Sequence, residues 1–476
     1  MATETQHTAI GDLTFDHGLP TPETRKKLYD DLDRNRGIEA VLWAEPAVNN
    51  ALFKRAMDVA GVPNLGAMVY DKRMQPGQET LTPNQSVVYL YDNINLKDTG
   101  PVVYILPDGP VNAGFFDMWM RAVHDFGTVG TNKGKGDRLL LVPPGYKGTL
   151  PSGYEVIHPL TYQVFSITRI TVNPQMSADQ AVEIFKKVQT YPLKDTAHPP
   201  AKTLVFMGDP AHGGKEFRMN RPSGIEYWKL VHDIIDNETV EDRDRITLGR
   251  LAALGIERGQ PFSPDEHAQK ILIEAEQIGK VMMINESFSP RAVPRGLSKE
   301  LYPGTHWENI QLLPDMTQEG PNYTYVVNRM VAFYQANGAQ FIWAPHDFPY
   351  GLGQKYAAAY QDSKGDWLVG EKTYRLHVPA NVPVADFWSA AAYDVDRRAL
   401  IEAPQHVSEI SPYVQNLKKN EDGSIDLYFG PKAPQGMESN WIQTIPGKAW
   451  FGYFRWYGPT KPYYDKSWKL TDFEPI

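Results

Sequence analysis

Apolar residues along the chain repeat with two different periods, and the period changes more than once. Near the start, Thr21-Pro22-Glu23 predicts a helix N-terminus, with proline in the first turn where its missing N–H costs nothing, and Leu28, Leu32, Ile38, Val41 and Leu42 follow at helical spacing. A second helical pattern covers 47–60 and closes on Gly61. From Val69 the period is two. Segments 87–96 (VVYLYDNINL), 101–107 (PVVYILP), 139–142 and 162–172 are β-branched and aromatic runs separated by Asn, Asp and Gly turn signals. Short strands at this spacing, with no sustained helical pattern between most of them, predict a β-sandwich rather than βαβ units.

The middle of the chain changes character. Three Ser-x-x-Glu/Gln capping boxes, Ser177 with Gln180, Ser223 with Glu226 and Ser263 with Glu266, each precede a helical run; in such a box the Ser oxygen takes an orphan N–H while the acid or amide reaches back. Pro264 is expected at the first helical position of the third. A further pattern over 325–336 is expected to end at Gly338. From about Asp362 the period of two returns, at 372–378, 426–429 and 449–457, with turn clusters at 420–423 and 430–436. The two β regions share a strand with an arginine near its end and a proline after it, Arg169 in SITRITVNP and Arg455 in YFRWYGP, compatible with duplication of one sandwich. The expected fold is mainly β with helical insertions: an N-terminal helical segment (1–62), a first β-sandwich (63–193), a helical connecting region (194–359) and a second β-sandwich (360–476).

Residues at both ends carry a family resemblance. Tyr360-Gln361-Asp362, Gly365, Gly370, Tyr374, Phe387-Trp388-Ser389, Tyr393-Asp394, Asp422-Gly423-Ser424, Leu427-Tyr428-Phe429-Gly430, Asn440-Trp441, Trp450, Arg455-Trp456-Tyr457-Gly458-Pro459 and Trp468 make the C-terminal part similar to the bacterial domain of unknown function 1214. Asp92, the 101–107 strand, Asp117 with Trp119, the 127–136 turn region and Thr168-Arg169 make 61–193 resemble its usual tandem partner, the domain of unknown function 1254. The resemblance implies two jelly-roll sandwiches joined through helices. It supplies no catalytic residues to carry over, and it implies export for many relatives, from which this chain departs in showing no signal.

Composition narrows the function classes. A net charge of −9 over 476 residues disfavours a nucleic-acid partner, which needs a clustered basic surface; the basic segment at 133–138 reads as a charged turn. With no cysteine, thiolate catalysis and Cys-ligated metals are excluded. The N-terminus lacks a basic start and an apolar core, and no run is long enough to span a bilayer. The expectation is a cytoplasmic protein by default, periplasmic if an export signal was removed, with a possible homo-oligomeric state.

Candidate chemistry centres on 450–457, WFGYFRWY. Alternation places Trp450, Gly452, Phe454 and Trp456 on one face and Phe451, Tyr453, Arg455 and Tyr457 on the other. One face is core. The other, aromatic with one guanidinium, suits an anionic or sugar-like ligand, since Arg binds carboxylate and stacks on rings; the competing reading pairs Arg455 with a carboxylate such as Asp394. Asn440-Trp441, after a Gly/Pro-rich loop, is a second candidate, against the plainer reading of a turn residue beside a core Trp. The candidate ligand-binding set is therefore Arg455, Tyr453, Trp441, Asn440 and Arg169. The histidines, including His124, His212 and His306, form no metal motif, and no nucleotide or Gly-x-Ser-x-Gly fingerprint occurs. No cofactor is evident, and a divalent metal assembled from distant residues stays open. Two readings follow: a protein that binds or acts on a polar or anionic small molecule, or a structural, self-assembling jelly-roll protein without catalysis.

Overall fold

A computed structural model describes residues 4–291, 298–310, 317–336, 350–351 and 353–476. The two helical patterns at the start form one helix, Pro22–Ala60, that carries Pro46 inside it. Its start is as expected: the Thr21 side chain accepts from the Thr24 N–H, and the helix stops at Gly61 in the left-handed region (φ 87°). Pro46 removes a helical N–H, yet every residue from Ala40 to Phe53 is buried. Packing against helices Ile225–Asn237, Glu266–Phe288 and Val326–Gln335 holds the segment helical, which local propensity alone would interrupt.

The closest helix contact is made by residues that lack side-chain bulk. A Cβ built on Gly37 would lie 2.6 Å from the Ala275 Cβ, and one on Gly279 would lie 2.7 Å from the Val41 Cβ. Helices Pro22–Ala60 and Glu266–Phe288 therefore meet almost backbone to backbone. Gly279→Val is expected to force them apart and cost about 1–3 kcal/mol, measured as a lower urea midpoint.

Of the three capping boxes, one forms as expected: Ser177 caps helix Ala178–Phe185, with both reciprocal bonds to Gln180. At the second, Gly224 (φ 60°) is the N-cap instead of Ser223, with no side-chain cap bond. The Gly224 N–H goes to the Glu276 carboxylate at 3.2 Å, so a distant helix supplies the acceptor. At the third, Asp265 caps helix Glu266–Phe288 through the Ala268 N–H at 2.8 Å, two residues beyond Ser263, and Pro264 precedes the helix. Helix Val326–Gln335 matches the fourth pattern, and Gly338 lies outside the described residues.

The segment expected to be helical at 1–62 opens instead with a three-stranded antiparallel sheet (Glu4–Thr8, Gly11–Asp16, Leu19–Pro20); the two β regions beyond it are two pairs of stacked sheets, and among the described residues neither closes into a barrel. The first pair is a six-stranded sheet in the order Leu204–Phe206, Ala67–Tyr70, Val87–Asn95, Gln163–Thr171, Asn112–Asp117, Ala122–Gly127. Opposite it lies a four-stranded sheet, Glu155–Ile157, Asp137–Leu141, Val102–Leu106, Gln189–Pro192. Val88, Leu90, Phe115 and Val164 of one sheet share a core with Val102, Tyr104, Leu139 and Leu141 of the other. The second pair sets a five-stranded sheet (Trp307–Asn309, Gln354–Ala359, Trp450–Pro459, Val384–Asp394, Glu409–Ile410) on a four-stranded one (Trp441–Gln443, Ile425–Gly430, Tyr374–Val378, Phe473–Pro475). The connecting stretch thus supplies strands to both pairs as well as helices.

The larger sheet of each pair is buried on both faces, because its outer face packs on the helices. Tyr89, Tyr91 and Phe165 meet Phe53 and Met57 of the long helix, and Phe451, Tyr453 and Tyr393 share a core with Phe288 and Tyr334. Among the described residues no helix is long and apolar enough to cross a membrane.

Glu238, just past helix Ile225–Asn237, ties the helices to the first sandwich by accepting the Tyr162 and Gln163 N–H groups at 2.7 and 2.9 Å. Burial raises its pKa to about 7 in spite of those two bonds, which favour the charged form. A carboxyl that holds its proton more tightly when folded contributes stability that is fully present below the unfolded pKa and is lost as pH rises through about 7. Glu238→Gln is expected to remove a slope of about 2–3 kcal/mol between pH 4.5 and 7.5. Urea midpoints of both proteins across that window are the check; equal slopes would refute it.

Candidate functional site

Strand Trp450–Pro459 is the middle strand of its sheet, flanked by Gln354–Ala359 and Val384–Asp394. Its alternation is as expected. Trp450, Phe454 and Trp456 enter the core between the two sheets, while Phe451 and Tyr453 turn toward the helices. Arg455, on that second face, is 1% exposed. Its cross-strand neighbours are Tyr356 and Ser389.

The guanidinium is enclosed by rings and by chain from the other β region. It lies 5.1, 5.4 and 5.3 Å from the ring centres of Tyr356, Tyr393 and Tyr453. Nη2 donates to the Thr82 carbonyl at 2.9 Å and the Tyr393 hydroxyl at 2.6 Å, with the Pro83 carbonyl at 3.4 Å. Nε and Nη1 are buried and have no acceptor among the described residues. Tyr453 donates to Gln335 Oε1 at 2.7 Å, which also takes the Tyr360 hydroxyl at 3.1 Å. Burial pushes the Tyr393, Tyr453 and Tyr457 hydroxyls well above their ordinary range, so these rings are neutral donors.

The expected partner for this charge is elsewhere. Asp394 closes the end of its own strand, taking the Asp396 and Arg397 N–H groups and an ion pair with Lys448 at 2.9 Å. Among the described residues no carboxylate lies within ion-pair distance of Arg455. Glu409 is the nearest in effect, and its oxygens already accept the Gln85 N–H at 2.6 Å and the Ser86 hydroxyl at 3.1 Å; Ser86 in turn lies 3.1 Å from the Tyr457 hydroxyl. Burial alone would favour loss of the Arg455 proton, whereas the Tyr393 hydroxyl that accepts from Nη2 and the Glu409 carboxylate favour keeping it.

Arg169 joins this cluster from the first sandwich. It sits on strand Gln163–Thr171, in register with Tyr89 and Asn112. Burial opposes its charge, and it lies among Tyr356, Tyr89 and Tyr457. Tyr356 and Tyr457 are thus within electrostatic reach of both arginines, the two positions that the sequence repeats.

Asn440 and Trp441 do not belong to this site. They lie on the four-stranded sheet on the far side of the second core. The Asn440 amide is fully used, donating to the Lys418 and Asp426 carbonyls at 2.9 Å each and accepting the Lys418 N–H at 2.9 Å. Trp441 Nε1 donates to the Gly430 carbonyl at 2.8 Å. Asn440 is a buried turn residue, as the plainer reading has it, but Trp441 is half-buried and is not a core Trp. His124 lies 3.5 Å from Glu155, His212 bonds Asp209 at 2.8 Å and His306 bonds Asp472 at 3.0 Å. Among the described residues no three His, Asp or Glu side chains are placed to hold a metal ion.

The sequence reading missed Tyr356, Gln335, Glu409 and the Thr82 carbonyl, all contributed by segments distant along the chain. It also missed the buried charge of Lys202. Lys202 Nζ bonds Asp92 and Thr190 inside the first sandwich, and Asp92 Oδ2 accepts the Ser166 and Tyr104 hydroxyls at 2.6 and 3.0 Å.

Comparison with known proteins finds one family match in each of the two β regions. Residues 67–192 match the family described as "Protein of unknown function (DUF1254)", and residues 353–461 match "Protein of unknown function (DUF1214)". The chain carries these two domains in tandem, the first N-terminal and the second C-terminal. No curated protein matches it. The VPA0106 protein from Vibrio parahaemolyticus is similar in structure, with a TM-score of 0.54 at 15% identity over 93% of this chain and 100% of that one. An uncharacterized protein from Burkholderia cenocepacia aligns with a TM-score of 0.40 at 11% identity, over 95% and 97% of the two chains.

Proposed function

We propose that the chain is a tandem jelly-roll protein that binds a small organic anion at the junction of its two sandwiches, with Arg455 as the principal charge and Tyr453, Tyr393 and Arg169 around it. The observation that carries this reading is the state of Arg455. It is buried, ringed by three tyrosines and without a carboxylate partner, and its Nε and Nη1 have no acceptor among the described residues. A buried donor left unmade costs about 1–3 kcal/mol, more when charged, and a carboxylate is the natural acceptor for a guanidinium. The Nη2 bonds to Thr82 and Tyr393 hold the group in place. A structural role alone accounts for Nη2 and leaves Nε and Nη1 unused. The jelly-roll form is supported by stacked sheets whose hydrogen-bonded neighbours are mostly non-consecutive in the chain.

Side-chain NMR of arginine Nε–H groups tests this directly. The Arg455 resonance, assigned by its absence in Arg455→Lys, is expected to shift saturably on titration with malonate. A resonance that follows only ionic strength, as a sodium chloride control would show, defeats the reading.

A further inference from the structure

We infer that a second, solvent-open site for an organic anion with an apolar tail lies over Arg73, distinct from the closed Arg455 cluster. A cavity of about 830 Å³ opens between the 71–75 segment and the 206–215 loop, within the size range of small-molecule sites. Arg73 forms part of its lining, and Arg73 Nη1 is buried with no acceptor among the described residues.

The loop wall is built rather than loose. Gly208 (φ 61°) and Gly213 (φ 85°) take left-handed turns, and a Cβ on Gly214 would collide with the Asp209 backbone at 2.5 Å. The carboxylates of the lining are committed to this wall: Asp71 accepts the Gly208 N–H at 2.8 Å, and Asp209 accepts from the Ala211 N–H at 2.9 Å and pairs with His212 at 2.8 Å. Lys215 donates to the Ala60 carbonyl at 2.8 Å, and Lys72 makes only a 3.6 Å contact with the exposed Asp179. The lining carries three cations, Lys72, Arg73 and Lys215, against two carboxylates, Asp71 and Asp209, so the cavity is net positive. Burial works against the Arg73 charge, and Glu409 supports it from the inner side.

The apolar part of the lining selects among anions. Phe206 is a large hydrophobic residue left 39% exposed at the cavity, beside Met207 and Ala178. A carboxylate on Arg73 would place an alkyl chain against that ring, so the ligand class is a monocarboxylate with a short apolar tail rather than a bare inorganic anion.

Isothermal titration calorimetry of the full chain with hexanoate tests this, with acetate as the tail-less control. Hexanoate is expected to bind saturably and more tightly than acetate. Arg73→Met should weaken hexanoate by at least about tenfold, the loss of one charge-assisted hydrogen bond, and Phe206→Ser should remove its advantage over acetate. The series is run in an Arg455→Met background, which removes carboxylate binding at the junction, and there hexanoate should still bind saturably. Binding that Arg73→Met does not alter, binding that Arg455→Met abolishes, or no saturable heat with the wild type would each overturn the second site. Loss of the malonate shift at Arg455 with hexanoate binding intact would overturn only the junction site.

Discussion

Replacing Arg455 with methionine is expected to weaken binding of a small carboxylate by at least about a hundredfold while changing the stability of the unliganded protein by no more than about 1 kcal/mol. The binding loss follows from two buried donors, each worth about 1.5–3 kcal/mol to a charged acceptor. The small stability change is the less obvious half. Methionine gives up the Nη2 bonds to Thr82 and Tyr393, but it also removes a buried guanidinium that no carboxylate neutralises, and apolar replacement of buried charge is often neutral. Tyr393 keeps its own bond to the Pro83 carbonyl. Calorimetry with malonate and urea unfolding without it measure the two halves. If Arg455 served only to dock the sandwiches, the unliganded protein would lose several kcal/mol and malonate would matter to neither variant.

The opposite balance is expected at Lys202, a buried charge that has a carboxylate partner. Lys202→Met should cost about 3–5 kcal/mol, because it strands the Asp92 carboxylate inside the first sandwich. Asp92 is fully buried, and without Lys202 it retains only the Ser166 and Tyr104 hydroxyls. Urea midpoints of the two proteins at pH 8 test it. A loss below about 1 kcal/mol at pH 8 would mean that the pair contributes little beyond its replacement.

The strands were legible because each carries its signal locally. The runs at 87–96, 162–172 and 449–457 appear as Val87–Asn95, Gln163–Thr171 and Trp450–Pro459. Helix starts were legible where the cap lies in the same few residues, as at Thr21 and Ser177. They were misread where the acceptor comes from elsewhere: the Gly224 N–H goes to Glu276, which no local motif discloses. The two helical patterns, through Leu42 and over 47–60, were read as separate for the same reason, since burial against three other helices keeps the chain helical through Pro46.

The site was legible only in part. Alternation placed Arg455 and Tyr453 on one face, and the repeated Arg-then-Pro pattern pointed to Arg169, which the fold brings to the same cluster. The Gly/Pro-rich loop that made Asn440 and Trp441 a second candidate leads instead to the other sheet, where their polar groups are spent. Tyr356, Gln335, Glu409 and the Thr82 carbonyl come from four separate segments, and only tertiary structure joins them. Asp92 stood among the residues of the family resemblance, but its partner Lys202 lies 110 residues away.

The central claim is that the junction around Arg455 is a binding site rather than a docking contact. Thermal unfolding of the wild type in a concentration series of malonate, beside sodium chloride at matched ionic strength, tests it most directly. Specific binding to the folded state raises the melting temperature with the logarithm of ligand concentration, so the account predicts a rise with malonate that chloride does not produce and Arg455→Met does not show. Superimposable curves for malonate and chloride would contradict it.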